Sequence, residues 1–413
     1  MDNLVIGIDV GTHKVCTVVA QVRPDSVFVI GAGVEGTRGM KAGLVTDLEA
    51  LTKSISSSVY KAEQASGYVI KRAFVSISGA HVHSDNSRGA VGISGPRGVT
   101  PDDVERAMEN ARAIAIPHSR EILHVVPRHY VLDGQSRVRQ PVGMFGFRLE
   151  VEANIVTAAT PSVNNIEQAV EGAGVLVDRF IVSPLASGDA VLTDEEREAG
   201  VVLIDLGAGT TDLAIFIEGA VWHTAVVGIA GDLISSDISH WLQVSTELAE
   251  LVKLQRGHCV PKRVSELETF LVEPFGEGLP IETKRRELAE VIEARAEEIF
   301  EKCRDEIKRS GYDGLLRAGA VLTGGTSQLP GIEELAKQML GIPIRLARPE
   351  RLTGLGDMLK APAYSTSIGL LRLGLQLDAV QAAATSTPTP TPNGKWGARV
   401  RGLLKRLLPD AEE

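Results

Sequence analysis

The sequence predicts an α/β protein built from two similar lobes, with a small α+β insertion in the first. Three observations predict it. A strand–turn–strand unit occurs twice, once at the start and once near the middle of the chain. Between the copies, residues 84–159 change texture to short strands and Gly-Pro turns. After the second copy, residues 232–310 carry a largely helical pattern. With 413 residues, 44% of them hydrophobic, the chain has apolar material for more than one core.

The first copy is Val5-Ile6-Gly7-Ile8-Asp9-Val10-Gly11-Thr12, followed by the β-prone run Val15 to Ala20. The second runs from Val201 through Asp205, Gly207, Gly209, Thr210, Thr211 and Asp212 to Ile217. Each is a buried-type strand, a tight Gly/Thr turn and a second strand, hence a hairpin. Repetition of the unit points to two similar domains facing each other. After the first hairpin, Leu48, Leu51, Ile55 and Val59 recur at helical spacing behind Asp47, and Ala73 to Ile77 reads as a strand. Inside the insertion, Thr100-Pro101-Asp102-Asp103 starts a helix, with a threonine cap, proline at the first position and acids in the first turn. Leu288, Val291, Ile292, Ile299, Cys303 and Ile307 form one core-facing helical stripe.

The boundaries that follow are 1–83 for the first-lobe core, completed by 160–199 and 358–377, with the insertion at 84–159. The second-lobe core takes 200–228 and 312–357, and a helical subdomain takes 229–311. Residues 378–394, with Thr and Pro alternating from Thr387 to Pro392, read as an extended linker before an amphipathic helix at 395–408.

Composition excludes several classes. A net charge of −10 argues against a general nucleic-acid binder. Cys16, Cys259 and Cys303 are sparse and unpaired in sequence, as in a reducing cytoplasm. His124 and His129 lie in a strand-like segment without metal-ligand spacing. The start has no basic stretch or cleavage site, and no apolar run approaches the roughly 20 residues that span a bilayer. A protein that stays in the cytoplasm is expected.

The chemistry sits at the hairpins. A turn of the form Asp-x-Gly-x-x can aim several backbone N–H groups at a phosphate, and glycine allows close approach. Gly11, Thr12, His13 and Lys14 fit this role in the first hairpin, and Gly207 to Thr211 in the second. Asp9 and Asp205 end their strands facing one cleft, a pair suited to water-mediated Mg²⁺ beside phosphates. Read singly, each Asp-x-Gly is also a plain turn. Downstream, Ala320 to Thr323 is a strand ending in Gly324-Gly325-Thr326, where an adenosine could lie flat on backbone; a strand-to-helix turn reads equally well. Glu250 and Lys253, three apart on a helix, could hold ribose and adenine or form a surface ion pair.

The order of first hairpin, second hairpin and double-glycine turn resembles that of the actin-like ATPases. Ser78-Gly79-Ala80-His81, the run Pro141 to Glu150, Pro184-Leu185-Ala186-Ser187, Asp205 to Asp212 and Gly324-Gly325-Thr326 narrow the resemblance to the FtsA family of bacterial cell-division proteins. The resemblance runs from residue 4 to about 375 and returns at the tail. It implies an actin-like two-lobed fold of duplicated ribonuclease-H-like domains, with the family-specific insertion in the first lobe. It implies ATP with Mg²⁺ as ligand, including contacts near Gly231 and Asp232, and assembly into filaments. It implies binding of the C-terminal tail of the tubulin-like protein FtsZ by the 229–311 subdomain, attachment to the inner membrane at the division site, and other division proteins as further partners. Arg295 resembles a family position implicated in self-association, or is a surface arginine paired with glutamates. This chain departs from the family at Ala208, where glycine is more usual, and around Gly228-Ile229-Ala230-Gly231, which has one glycine fewer.

Trp396, Val400, Leu403, Leu404, Leu407 and Leu408 share one helical face, ringed by Lys395, Arg399, Arg401, Lys405 and Arg406. Such a helix is about 20 Å long, too short to span a bilayer and shaped to lie on an anionic one. No catalytic residue is assigned: Pro184 to Asp189 holds no glutamine and only Asp189 as a carboxylate, so at most slow ATP hydrolysis is expected. The alternatives are a pilus-assembly-type ATPase or a slow hydrolase acting as a membrane-associated switch. A heat-shock-type chaperone would need a large domain after the ATPase, and about 35 residues follow position 378.

Overall fold

The computed structural model describes residues 4–23, 26–95, 98–114, 116–276 and 280–385. The amphipathic segment with Trp396, Arg399, Val400, Leu403, Leu404, Lys405, Leu407 and Leu408 therefore lies outside the described residues.

The chain opens with β1 (Leu4–Val10), β2 (Lys14–Val22), β3 (Val27–Gly36), the short β4 (Met40–Lys41) and β5 (Leu44–Val45), α1 (Leu48–Ser66) and β6 (Arg72–Ile77). The insertion follows as β7 (His83–Gly92), α2 (Pro101–Arg112), β8 (Arg120–Leu132), β9 (Gln135–Val138) and β10 (Arg148–Ala159). The first lobe resumes with α3 (Thr160–Gly172), β11 (Leu176–Val182), α4 (Ser183–Val191) and α5 (Asp194–Ala199). In the second lobe come β12 (Val201–Leu206), β13 (Thr211–Ile217), β14 (Ala220–Val227), α6 (Gly231–Leu242), α7 (Thr246–Arg256), β15 (Thr269–Val272), β16 (Ile281–Lys284) and α8 (Arg285–Ser310). Last are β17 (Ala320–Thr323), α9 (Ile332–Leu340), β18 (Ile344–Leu346), β19 (Leu352–Gly354) and α10 (Ser365–Thr385).

Duplication is visible in the sheets. The first lobe orders its strands β11-β6-β1-β2-β3-β19, and the second orders β18-β17-β12-β13-β14. In each, two antiparallel pairs form a meander and two parallel strands extend it on the other side. Strands covered on both faces read as continuous apolar runs, and every residue of β12 and β13 is buried. α1 is capped by Asp47, whose side chain accepts from the Ala50 amide at 3.0 Å, and it buries Leu51, Ile55 and Val59. In the insertion, the sheet β7-β10-β8-β9 packs against α2, whose Thr100 and Asp103 form a reciprocal capping box.

Several boundaries differ from those the sequence suggests. β19 pairs in parallel with β3, so Leu352–Gly354 belongs to the first-lobe sheet and not, with the rest of 312–357, to the second. The hairpin β15–β16 interrupts the helical subdomain. α10 runs to Thr385, so positions 378–385 of the expected linker are helical, in keeping with the alanines at 382–384. The helical stripe is confirmed: Leu288, Ile292, Ile299, Cys303 and Ile307 are buried and Val291 is partly so.

The insertion also reaches across to the second lobe. Ser84 and Thr224 exchange two hydrogen bonds, Ser84 Oγ donating to the Thr224 carbonyl at 2.8 Å and the Thr224 amide to Ser84 Oγ at 3.0 Å. Arg128 stacks its guanidinium 4.1 Å from the Trp222 ring, which meets Tyr312 edge-on at 5.3 Å. All three cysteines are free and buried. His124 is buried and its Nε2 accepts from the Val182 amide at 3.2 Å, a structural role inside the first lobe.

Candidate functional site

The two hairpin turns close in the same way. The Gly11 amide donates to the Lys14 carbonyl and the Gly207 amide to the Thr210 carbonyl, both at 3.0 Å. The tips touch: a Cβ on Gly209 would lie 2.5 Å from Thr12 Oγ1. Thr12 in turn accepts from the Gly43 amide at 3.2 Å. Close packing of the tips thus requires glycine at 209, whatever occupies the cleft.

Each hairpin carries a buried aspartate at the end of its first strand. Asp9 accepts from Ser76 Oγ at 2.9 Å and Ser367 Oγ at 2.8 Å, and Lys14 Nζ stands 3.5 Å away. Burial works against the Lys14 charge, but Asp9 and other nearby negative groups override it, so Lys14 holds its proton above the ordinary lysine range. That ammonium also lies 4.8 Å from the Tyr364 ring centre. Asp205 accepts from Thr366 Oγ1 at 3.1 Å, and burial pushes its carboxyl up to about 6, with Asp9 adding to the effect. Asp212 accepts from Ser78 and, at 3.1 Å, from Thr210 Oγ1; burial first and Asp205 second push it up to about 7. Three carboxyl groups and one lysine thus share one enclosed region.

The downstream elements come to the same place. Thr326 Oγ1 donates to the Gly207 carbonyl at 2.7 Å, the Gly231 amide to the same carbonyl at 3.2 Å, and the Asp232 amide to the Ala208 carbonyl at 2.8 Å. Gly324 has φ +89°, and a Cβ there would collide with the Asp205 carboxylate and the Leu206 carbonyl. Gly325 opens the short 3₁₀ turn Gly325–Gln328. Lys253 is no surface residue: it is buried, with Nζ donating to the Gly231 carbonyl at 3.0 Å and Ser235 Oγ at 2.8 Å, and standing 2.6 Å from Glu250. Burial would raise the Glu250 carboxyl, yet Lys253 outweighs it and holds it below the ordinary range. Asp232 is raised by burial, opposed by Lys253 and His13. His13 is exposed at the turn, on the side facing Asp232 and Glu250.

Most of the residues expected around the cleft are linked by these contacts, while Thr211 donates its hydroxyl to the Ile229 carbonyl at 2.7 Å. Ser76, Ser187, Ser235, Thr366 and Ser367 join the cluster unanticipated. A signal was present in Ser365-Thr366-Ser367, three hydroxyls in a row ahead of the apolar run Ile368 to Leu371. Asp189 is engaged by Arg197 at 3.4 Å. Arg295 bridges α8 to α6, with bonds of 2.6 and 3.0 Å to Asp237, and also meets Glu298. A cavity of 390 Å³ between the insertion, β14 and α8, lined by Ser84, Arg120 and Thr224 among others, shares no residue with this cluster. Among the described residues no helix is long and apolar enough to cross a membrane.

Comparison with known proteins agrees with this architecture. Residues 202–369 match the family model "Cell division protein FtsA", and residues 79–157 match "SHS2 domain inserted in FTSA". The chain is 44% identical to the cell division protein FtsA of Pseudomonas aeruginosa over 90% of its own length and 89% of that protein. It is 34% identical to FtsA of Escherichia coli K12 over 98% of both chains. Among solved structures, a chain of the PilM–PilN type IV pilus biogenesis complex superposes with a TM-score of 0.66 at 18% identity, over 90% of this chain and 98% of that one. MreB5 of Spiroplasma citri bound to ADP superposes at 0.54 with 15% identity, over 93% of this chain and 99% of that one. These last two likenesses show a shared fold, the two-lobed actin-like one. On the sequence relationship, this chain belongs to the FtsA family of cell division proteins.

Proposed function

We propose that this chain is an ATP-dependent, filament-forming adaptor that tethers the C-terminal tail of FtsZ to the cytoplasmic face of the bacterial cell membrane at the division site. The observation that carries the reading is the meeting of two duplicated Asp-Gly hairpins over a buried carboxylate pair, within a chain of this family. Family membership favours it over the pilus-assembly alternative.

In this reading the turn amides of Thr12, His13 and Lys14 and of Gly209, Thr210 and Thr211 take the phosphates, with Asp212 behind them, while Gly11 and Gly207, whose own amides close the turns, let the phosphates approach the backbone. Gly231, Asp232, Glu250, Lys253, Gly324, Gly325 and Thr326 take the nucleoside. Asp9 and Asp205 suit a hydrated Mg²⁺: the donors are all oxygen, and the carboxylates outnumber the one lysine beside them. Among the described residues no three His, Cys, Asp or Glu groups are placed to hold a metal ion, and an ion that keeps its waters needs only one or two. Bound Mg²⁺ would supply charge neutralisation at the phosphates. ATP touching both lobes favours their closed arrangement, and through it the filament, because it binds that state better. Hydrolysis is at most slow in this reading, since the only carboxylate of the 184–189 stretch is engaged by Arg197.

The test is flotation of FtsZ on anionic vesicles with ATP, using the full chain and a truncation after Pro392. FtsZ rising only with the full chain supports the adaptor. FtsZ left behind while the full chain floats removes the division role and keeps the membrane one. ATP bound with undiminished affinity by both Asp205→Ala and Gly207→Val would sink the nucleotide site.

A further inference from the structure

α10 records which way the chain leaves the first lobe. Ser367 Oγ donates to Asp9 at 2.8 Å. A Cβ on Gly7 would meet Leu370 at 3.1 Å, and one on Gly374 would meet Val5 at 3.0 Å. The helix therefore runs antiparallel to β1 and passes its N-terminal end. From Gly374 to Thr385 it advances a further ~16 Å, and residues 386–413 continue from there.

That end of the sheet carries apolar side chains in the open. β1, β6 and β11 are parallel, so their first residues share it. Tyr68 and Val69, in the loop entering β6, are 46% and 75% exposed, and Leu176, the first residue of β11, is 51% exposed. Leu176 adjoins the start of β6, three residues on from Val69: it pairs with Arg72 across the ladder, and its amide donates to the Lys71 carbonyl at 2.9 Å. Lys71 and Arg72 are exposed beside them, Arg72 being paired with Asp178. Further along the same end, where β2 stops and β3 starts, Arg23 lies 5.7 Å from the Phe28 ring centre.

We propose that this end of the first lobe is a second membrane contact. Tyr68, Val69 and Leu176 enter the interfacial layer of an anionic bilayer, with Lys71 and Arg23 at headgroup level. The proposal rests on the membrane-adaptor reading above. Three facts select a bilayer over other occupants. The patch mixes tyrosine, aliphatic and basic side chains, the composition that suits an interface. It stands at the end toward which α10 leads. The chain beyond α10 carries the basic amphipathic segment, so tail binding delivers the patch to the surface at high effective concentration. A contact too weak to act alone then suffices to fix the orientation of the lobe.

The test uses the full chain carrying Val69→Cys, labelled with an environment-sensitive fluorophore; the native cysteines are all buried, which directs the label. With phosphatidylglycerol/phosphatidylcholine vesicles, the emission at position 69 is expected to shift to the blue, and a label on Phe145→Cys in the insertion to stay unchanged. Val69→Asp with Leu176→Asp is expected to weaken vesicle partition about tenfold, and truncation after Pro392 to abolish it. A full chain that floats with an unshifted label at 69 overturns this contact alone. A shift without vesicles that rises with protein concentration assigns the patch to a second copy and overturns it too. A vesicle-free shift that vanishes on truncation assigns the patch to the tail and likewise overturns the contact. A full chain that binds no vesicles removes the adaptor reading and this contact together.

Discussion

The two hairpins are the same backbone device with opposite electrostatics. The first brings its own cation: Asp9 has Lys14 at 3.5 Å and hydroxyls from Ser76 and Ser367. The second has hydroxyl donors and no cation of its own, and its carboxyl groups are pushed up to about 6 at Asp205 and about 7 at Asp212. Burial is the first cause and neighbouring carboxylates add to it, while the hydroxyl bonds offset it only in part. A duplicated unit has thus been divided into a half that is electrically complete and a half that wants a counter-ion.

The largest loss of stability is expected on the complete half. Lys14→Met leaves Asp9 buried and unpaired, and breaking such a pair costs about 3 kcal/mol. Urea denaturation should report it, and an unchanged midpoint would mean that Lys14 serves only a ligand. Next is Gly324→Ala in the other half. Its φ of +89° and the Asp205 carboxylate against the new Cβ predict a loss of roughly 2 kcal/mol, together with loss of ATP binding measured by calorimetry.

Asp212→Asn has the opposite sign. Its folded-state carboxyl lies above the unfolded one, so the folded protein binds more protons than the unfolded chain. Stability is therefore lost as pH rises from about 4 to about 7. The amide removes that loss, raising the melting temperature of the ligand-free protein at pH 8 by the equivalent of up to ~4 kcal/mol and leaving it unchanged near pH 4. Equal melting curves for both proteins at pH 8 would erase the distinction between the hairpins. The smallest effect is Thr366→Val, which removes one hydrogen bond to Asp205 for about 1 kcal/mol, readable in the same denaturation series.

Local pattern makes the hairpins legible. Asp9-x-Gly11 and Asp205-x-Gly207 stand out because each follows an apolar strand, and period and caps announce α1 and α2. What stays hidden is long-range. Ser367 lies 358 positions from the Asp9 it bonds, and Thr366 lies 161 from Asp205. No local signal says which carboxylate a hydroxyl will meet. β19 falls in the other lobe than expected for the same reason, since three residues carry no mark of the strand they pair with. The linker begins later than expected because threonine and proline downstream colour the reading of a helix-forming run of alanines.

The bond between Ser84 and Thr224 spans 140 positions, and this has a consequence for synthesis. At about 5–20 residues per second, roughly seven to thirty seconds separate the emergence of the two partners from a ribosome. Through that interval the Arg128 face of the insertion has no Trp222 or Tyr312 to rest on. The nascent chain holds a finished domain with one unfinished side, and the lobe made later is what seals it.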